Sequence, residues 1–340
     1  MNNPSLSTPA RTLRISVLFA LLTVACGFLA LWVGPFSISF SEIFRILIGD
    51  TSLTADSMRA VLLEIRLPRV LIALLVGGGL AVSGAVFQVL LRNVLADPYI
   101  LGVSSGASVG ALVALSTGLS TLFLASQPLF AFASALIVVV TVYRLGLHGA
   151  IEDNTLLLSG VMIGAFLSAI ILGLVSTMDR PVRNALFWLI GYLGNATMTE
   201  VLLLFPGVVI LLFVLFVYAG RMNVMALGAE AAGHLGLAVR RQQIVLYVLA
   251  SLMTALVVSF AGAIGFIGLL VPHAVRRLFG PDHRLLLPVS FFLGASFLII
   301  SDLIARTAIA PTELPVGAVT AALGAPVFIY LLRRKSALRT

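Results

Sequence analysis

Apolar residues fall in long runs separated by short clusters of proline, glycine and charge, and the runs divide the chain into about ten segments. They cover roughly 15–33, 68–90, 98–116, 127–143, 154–176, 201–219, 243–260, 263–279, 285–304 and 315–332. A bilayer core about 30 Å thick needs about 20 apolar residues per helix, so the runs predict membrane spans rather than buried helices of a soluble core. The alternating segments of about ten residues that build a membrane barrel are not visible. The expected class is all-α, a polytopic membrane protein with about ten transmembrane helices. The expected domain organisation is a single transmembrane domain over 1–340 with short tails at 1–14 and 333–340. The segment 263–279 fits least well, because Gly262, Gly265 and Gly268 interrupt it and Pro272 falls inside it.

Two further stretches are too short and too polar to span. Residues 37–44 and 182–189 predict short amphipathic helices lying at the membrane interface, where Trp188 is well accommodated. Gly102, Gly106 and Gly110 recur every four residues, as do Gly160 and Gly164, which predicts close helix packing along one face. No internal repeat is visible in the helical periodicity.

Composition agrees with this pattern. Of 340 residues, 60% are hydrophobic and 10% charged, and the mean hydropathy is +1.15. Cys26 is the only cysteine, which excludes an intrachain disulfide framework or thiolate metal cluster. Its surroundings faintly resemble a lipoprotein processing site, but Thr23 stands where a branched apolar residue is usual, so a packed membrane thiol is expected. Arg11 and Arg14 before the run 15–33 could open a signal peptide, but the run is too long for a signal core and is read as the first span.

The net charge of +8 would point to nucleic acid in a soluble chain. Here the basic residues sit between spans, and no nucleic-acid partner is expected. With the amino terminus placed inside, fourteen of the 21 Lys and Arg residues fall on the cytoplasmic side and seven outside. This positive-inside bias predicts that both termini are cytoplasmic.

The chemistry of an enzyme is absent from the pattern. There is no Gly-x-x-x-x-Gly-Lys-Ser/Thr loop and Lys335 is the only lysine, so the chain is not expected to cradle nucleotide phosphates. His148, His234, His273 and His283 are scattered, without metal-protease or triad spacing. Inside the spans, Asp302 is the main ionisable group, and Arg306 four residues on can neutralise it across one helical turn. Relay carboxylates for a proton-coupled carrier and ligands for a bare metal ion are missing, so no metal site is expected and any cargo should arrive already wrapped. A channel or secondary carrier acting alone and an intramembrane enzyme are the competing readings. They would need charged rings or a catalytic pair.

Particular strings then carry a resemblance. Ile65-Arg-Leu-Pro-Arg69, Gly84-Ala-Val-Phe-Gln88, Asn93-Val-Leu-Ala-Asp-Pro98, Leu101-Gly-Val-Ser-Ser-Gly106, Gly262-Ala-Ile-Gly-Phe-Ile-Gly268, Asp302-Leu-Ile-Ala-Arg306 and Glu313-Leu-Pro-Val-Gly317 follow one another from about residue 60 to the end. This ordered set resembles the permease subunits of the ATP-driven ABC importers for vitamin B12, haem and ferric siderophores. The resemblance implies a multi-pass permease of the bacterial inner membrane. It would pair with a second permease copy, sit on two cytoplasmic ATPase subunits that use ATP and Mg, and receive a metal chelate from a periplasmic binding protein. This subunit itself would bind no cofactor.

The resemblance also implies roles for residues. Arg66, Arg69 and Arg306, predicted at the outer face, match arginines that receive acidic residues of the binding protein; the alternative is that they snorkel, with Arg306 pairing only Asp302. Ala226, Leu227, Gly228, Glu230, His234, Leu235 and Gly236 lie in the longest cytoplasmic loop, 222–241, which in the family contacts the ATPase. Two short helices broken around Gly233 and Gly236 are expected there. Glu152, Asp153, Asn154 and Thr155 match a cytoplasmic gate, or equally a capped helix start. The fifth span and residues 150–200 face the pathway in relatives. Arg180 and Arg183 add positive charge to the outer vestibule, which points to an anionic iron chelate first and vitamin B12 second; the alternative is that they answer Asp179.

Overall fold

The computed structural model describes residues 8–34, 36, 38–49, 56–119, 125–146, 153–178 and 182–336. Among them the regular elements are all helical. In chain order they are α1 (Pro9–Trp32), α2 (Phe40–Leu47), α3 (Asp56–Ala60), a π-helical turn (Val61–Arg66), α4 (Leu67–Leu90), a 3-10 turn (Pro98–Leu101) and α5 (Val103–Ser116). There follow α6 (Ser126–Gly146), α7 (Asp153–Ser176), α8 (Val182–Ile190), α9 (Met198–Val217), α10 (Ala219–Met225), α11 (Ala229–His234) and α12 (Val239–Ala261). The chain ends with α13 (Ile267–Phe279), α14 (His283–Thr307) and α15 (Val316–Ser336).

Each predicted span corresponds to a helix, but not all are alike. Seven helices are long and apolar enough to cross a bilayer, and α5 and Val316–Ile329 of α15 are shorter apolar helices. The predicted short interfacial helices are α2 and α8. Both α2 and α9 begin in reciprocal capping boxes, Ser39 with Glu42 and Thr197 with Glu200, which satisfy the orphan amides of the first turn. The π turn has a local cause. Pro68 lacks an amide hydrogen and its ring would strike the carbonyl four residues back, so the helix widens just before it and continues as α4.

The hub of the bundle is α4, packed against α14, α12, α13 and α9. It is the most buried of the candidate spans, while α7 is the least, although the two are nearly equal in hydropathy. What admits α4 to the centre is its run of small residues. A Cβ on Gly77 would collide with the carbonyl of Gly294 in α14, and one on Gly84 would collide with the backbone of Gly268 in α13. Without lipid-phase hydrophobic attraction between helices, such close backbone approach supplies the dispersion contacts that hold the bundle. The stripe of Gly102, Gly106 and Gly110 acts likewise, with Gly106 against Val138 and Gly110 against Phe130 of α6.

The segment 263–279 is an interrupted span. Gly262 ends α12 at φ +70, residues 262–266 are non-helical, and Phe266 stands at φ +72 before α13 begins. With 13 residues, α13 is about 20 Å long, two-thirds of the hydrocarbon thickness. Irregular backbone at this depth needs protein partners. The Tyr99 hydroxyl donates to the carbonyl of Ile264 (2.8 Å) and accepts from its amide (3.0 Å). The Gln88 amide donates to the carbonyls of Gly268 (3.3 Å) and Leu269 (3.2 Å), and the Tyr192 amide to that of Ala261 (3.1 Å).

Candidate functional site

One end of the bundle carries the arginines. The amino-terminal turn of α4 and the last turns of α14 meet there, and the structure brings Arg66, Arg69 and Arg306 together, each 4–5% exposed. Arg69 is gripped by two carboxylates. Its Nε donates to Asp302 Oδ1 (2.8 Å) and Oδ2 (2.9 Å), and its Nη1 to Glu313 Oε2 (2.9 Å) and Oε1 (3.1 Å). Asp302 is buried, whereas the Glu313 side chain is 32% exposed and also accepts from the Tyr192 hydroxyl (3.1 Å). The predicted i,i+4 pairing of Arg306 with Asp302 is present but long, 3.9 Å from Nε to Oδ2.

The remaining donors serve α1. Arg66 Nη1 donates to the carbonyls of Leu31 (2.6 Å) and Trp32 (3.2 Å), its Nη2 bonds Phe36, and Arg306 Nη2 bonds the carbonyl of Ala30. No basic residue lies in the last turn of α1. Two guanidinium groups from elsewhere in the chain therefore satisfy its terminal carbonyls and face the negative end of its dipole. The cluster holds three guanidinium groups against two carboxylates, with Glu313 as its most accessible charged member.

Tyr192 joins this cluster to a cavity of about 390 Å³ lined among others by Gln127, Arg183, Asn184, Trp188, Asn195 and Glu200. Arg183 is exposed, with its guanidinium 5.4 Å from the Phe187 ring centroid. Arg180, like Glu152, lies outside the described residues. Asp153, Asn154 and Thr155 form the first turn of α7, at the far end of that helix from Arg183, so the residues assigned to a gate and pathway are not brought into one group.

At the opposite end, the connection between α9 and α12 folds into α10 and α11. Met222, Met225 and Ala232 are buried and anchor it, while Leu227 and Leu235 are 66% and 65% exposed. Glu230 opens α11 and His234 closes it, both exposed. Gly228 (φ +111) and Gly236 (φ +80) make the turns at its two ends. The stretch 226–239 therefore contains one short helix rather than two. Gly233 is accommodated within it, and the chain breaks only at Gly236, after which Val239 starts α12. Ala226 lies in the turn ahead of it.

Some features have no signature in sequence. Tyr99 and Gln88, which pin the break before α13, are separated from it by 165 and 180 residues. Thr23 of α1 likewise bonds the carbonyl of Phe292 (2.9 Å) and contacts Ser296 Oγ (3.0 Å), a polar link to α14 with no local cue.

A central glycine-rich helix, an interrupted span and a buried arginine cluster in a bundle of apolar helices define a multi-pass membrane protein. Residues 22–334 match the model of the FecCD transport family, and the chain belongs to that family. It is 47% identical over 279 residues to a cobalamin import system permease protein of Halobacterium salinarum, covering 82% of this chain and 74% of the relative. It is 38% identical over 307 residues to a hemin transport system permease protein of Yersinia pestis, covering 89% of this chain and 90% of the relative. A solved inward-facing conformation of a metal-chelate type ABC transporter superposes with a TM-score of 0.83 at 28% identity, covering 94% of this chain and 99% of the other. The family is one of transporter permease subunits, not of enzymes.

Proposed function

We propose that this chain is the membrane-spanning half of an ABC importer that carries a preformed metal chelate across the cytoplasmic membrane, with both termini cytoplasmic. The observation that carries the reading is the agreement of the fold with a transporter described as of metal-chelate type, at a TM-score of 0.83 over 94% of the chain. In this reading two copies face each other across the pathway, and α7, the least buried of the candidate spans, offers apolar surface for a partner through the exposed Leu158, Met162, Phe166 and Leu172. Two separate ATPase subunits, using ATP and Mg, bind the α10–α11 end. An extracytoplasmic binding protein delivers the cargo at the arginine end.

The iron-chelate reading rests on the positive charge of Arg183, exposed beside the cavity, and of Arg180 three residues before it in the sequence. A corrinoid is the second reading, favoured by the 47% identity to a cobalamin permease against 38% to a hemin permease. Uptake by proteoliposomes holding permease, ATPase and loaded binding protein decides between them. ATP-dependent accumulation of haem or a ferric hydroxamate is the expected result, and accumulation of a corrinoid alone would replace the iron assignment. Uptake of free ferrous or zinc ion would overturn the chelate reading altogether.

The docking role of the arginines has its own test. All three are buried and bonded inside the protein, Arg306 through its Nη2 and not its Nε, so charge reversal would disrupt the fold before it reported on docking. Glu313→Gln is gentler. It keeps an acceptor for Tyr192 and raises the net positive charge of the cluster. Association of the binding protein, measured on the purified complex at low salt, is expected to tighten about threefold, with the gain disappearing at high salt. Unchanged or weaker binding would count against docking at this cluster.

A further inference from the structure

A second polar cluster lies at the other end of α14. His283, the first residue of that helix, is 1% exposed, and it is hydrogen-bonded not to its own neighbours in sequence but to Asn223 in α10. Asn223 Oδ1 accepts from the His283 backbone amide (2.8 Å) and stands 2.8 Å from its Nδ1. Asn223 Nδ2 donates to Asp282 Oδ1 (2.7 Å), which also accepts from the Arg284 amide (3.0 Å) as the N-cap of α14. The geometry is self-consistent. A carboxylate is an acceptor only, so the Asn223 amide nitrogen must face Asp282, its oxygen must face His283, and His283 must carry its proton on Nδ1. His283 Nε2 is buried without a hydrogen-bond partner.

What this joins gives it significance. Asn223 sits on α10, which leads directly into α11 and the exposed Leu227 and Leu235. Asp282 and His283 begin a helix of 25 residues, about 37 Å long, that packs along the central α4 and ends in Asp302 and Arg306. A single continuous helix, with Pro288 inside it, is bonded at one end to the α10–α11 connection and at the other to the arginine cluster, and so links the two ends of the bundle.

We propose that Asn223 is the positioning residue that transmits movement of the α10–α11 loop to α14, through its paired bonds to the cap and first residue of that helix. The inference rests on the reading of that loop as the ATPase contact. A lone apolar contact would let the loop slide on the end of α14, whereas a two-sided amide fixes both distance and orientation.

Asn223→Leu keeps the branched shape in a bulkier side chain and removes all three bonds, and Asn223→Ala removes them without added bulk. The double variant Asn223→Asp with Asp282→Asn exchanges donor and acceptor across the joint; because Asp282 Oδ1 takes both the Asn223 and the Arg284 bonds, the new amide keeps the bond to residue 223 through its nitrogen and gives up the bond to the Arg284 amide. The complete importer in proteoliposomes, with its ATPase and loaded binding protein, is assayed for cargo moved per ATP hydrolysed, with ATPase co-purification measured in parallel. Asn223→Leu is expected to lower that ratio about tenfold with ATPase still bound, and the exchanged pair to recover at least half of it. A ratio within twofold of the unaltered protein in Asn223→Leu and in Asn223→Ala would overturn the proposal. So would a loss that the exchanged pair fails to reverse, or loss of the bound ATPase, which would make the joint an assembly element. The loop variant Gly228→Pro with Leu235→Asp separates the two levels. If it transports normally, the reading of the loop fails and this inference with it; if it is impaired while Asn223→Leu is not, only the joint is rejected.

Discussion

Arg69→Met is expected to destabilise the protein by about 3–5 kcal/mol, the cost of stranding a buried charge when its partner is removed. Asp302 is 2% exposed and takes both of its short hydrogen bonds from Arg69 Nε. Once Arg69 is gone, the only cation left beside it is Arg306 at 3.9 Å, whose Nη2 is committed to the end of α1. The variant should therefore lose most of its folded yield in detergent, and its melting transition should fall by many degrees. Arg69→Met with Asp302→Asn removes the stranded charge and is expected to recover a large part of that loss, giving a coupling of at least about 2 kcal/mol in a double-mutant cycle. An unchanged melting temperature in Arg69→Met, or simple additivity in the cycle, would show that the pair contributes nothing of the kind. The same cycle distinguishes architecture from docking. If the double variant folds but no longer binds the extracytoplasmic partner, the cluster serves both ends.

The second large effect is expected in the connection that carries α10 and α11. Gly228→Pro with Leu235→Asp should reduce transport at least tenfold while leaving the helical bundle inserted. Gly228 stands at φ +111, which proline, fixed near −65°, cannot adopt. Its amide also donates to the Met225 carbonyl (3.1 Å), a bond that proline abolishes. Leu235, 65% exposed at the end of α11, is apolar surface with no partner in this chain, and an aspartate there would oppose burial against any ATPase groove. A Cβ on Gly228 would meet nothing within 4 Å and Leu235 is largely exposed, so expression and detergent extraction should match the unaltered protein. ATP hydrolysis and cargo uptake measured together would settle the matter. Full uptake at normal stoichiometry would reject the role of the loop.

Both predictions concern residues visible in sequence, but the two were visible to different degrees. The loop and its glycines could be read directly, because a positive-φ turn and a polar stretch between apolar runs are local properties. Only the inner boundary moved. Gly233 stayed inside α11, since a single glycine costs a helix about 1 kcal/mol and the buried Ala232 beside it offsets that. The arginines were equally visible, but their partners were not. Asp302 was assigned to Arg306 because four residues along a helix is the one contact that sequence guarantees. The shorter bonds come from Arg69, 233 residues away.

Sequence by itself determined the class, the place of each apolar helix and the existence of the short helices α2 and α8. Each of these follows from transferring one segment at a time from water to lipid, a sum over that segment's own residues. Tertiary structure alone decided which helix is central and how the break before α13 is satisfied. Hydropathy cannot rank α4 above α7, because lipid and protein interior are equally apolar surroundings. What separates them is whether two backbones approach, as at Gly84 and Gly268. The hydroxyl of Tyr99 reaches Ile264 only after the helices carrying them have packed, so that bond has no trace in local pattern. The same holds for Asn223 and His283, 60 residues apart, whose meeting joins the two ends of the permease.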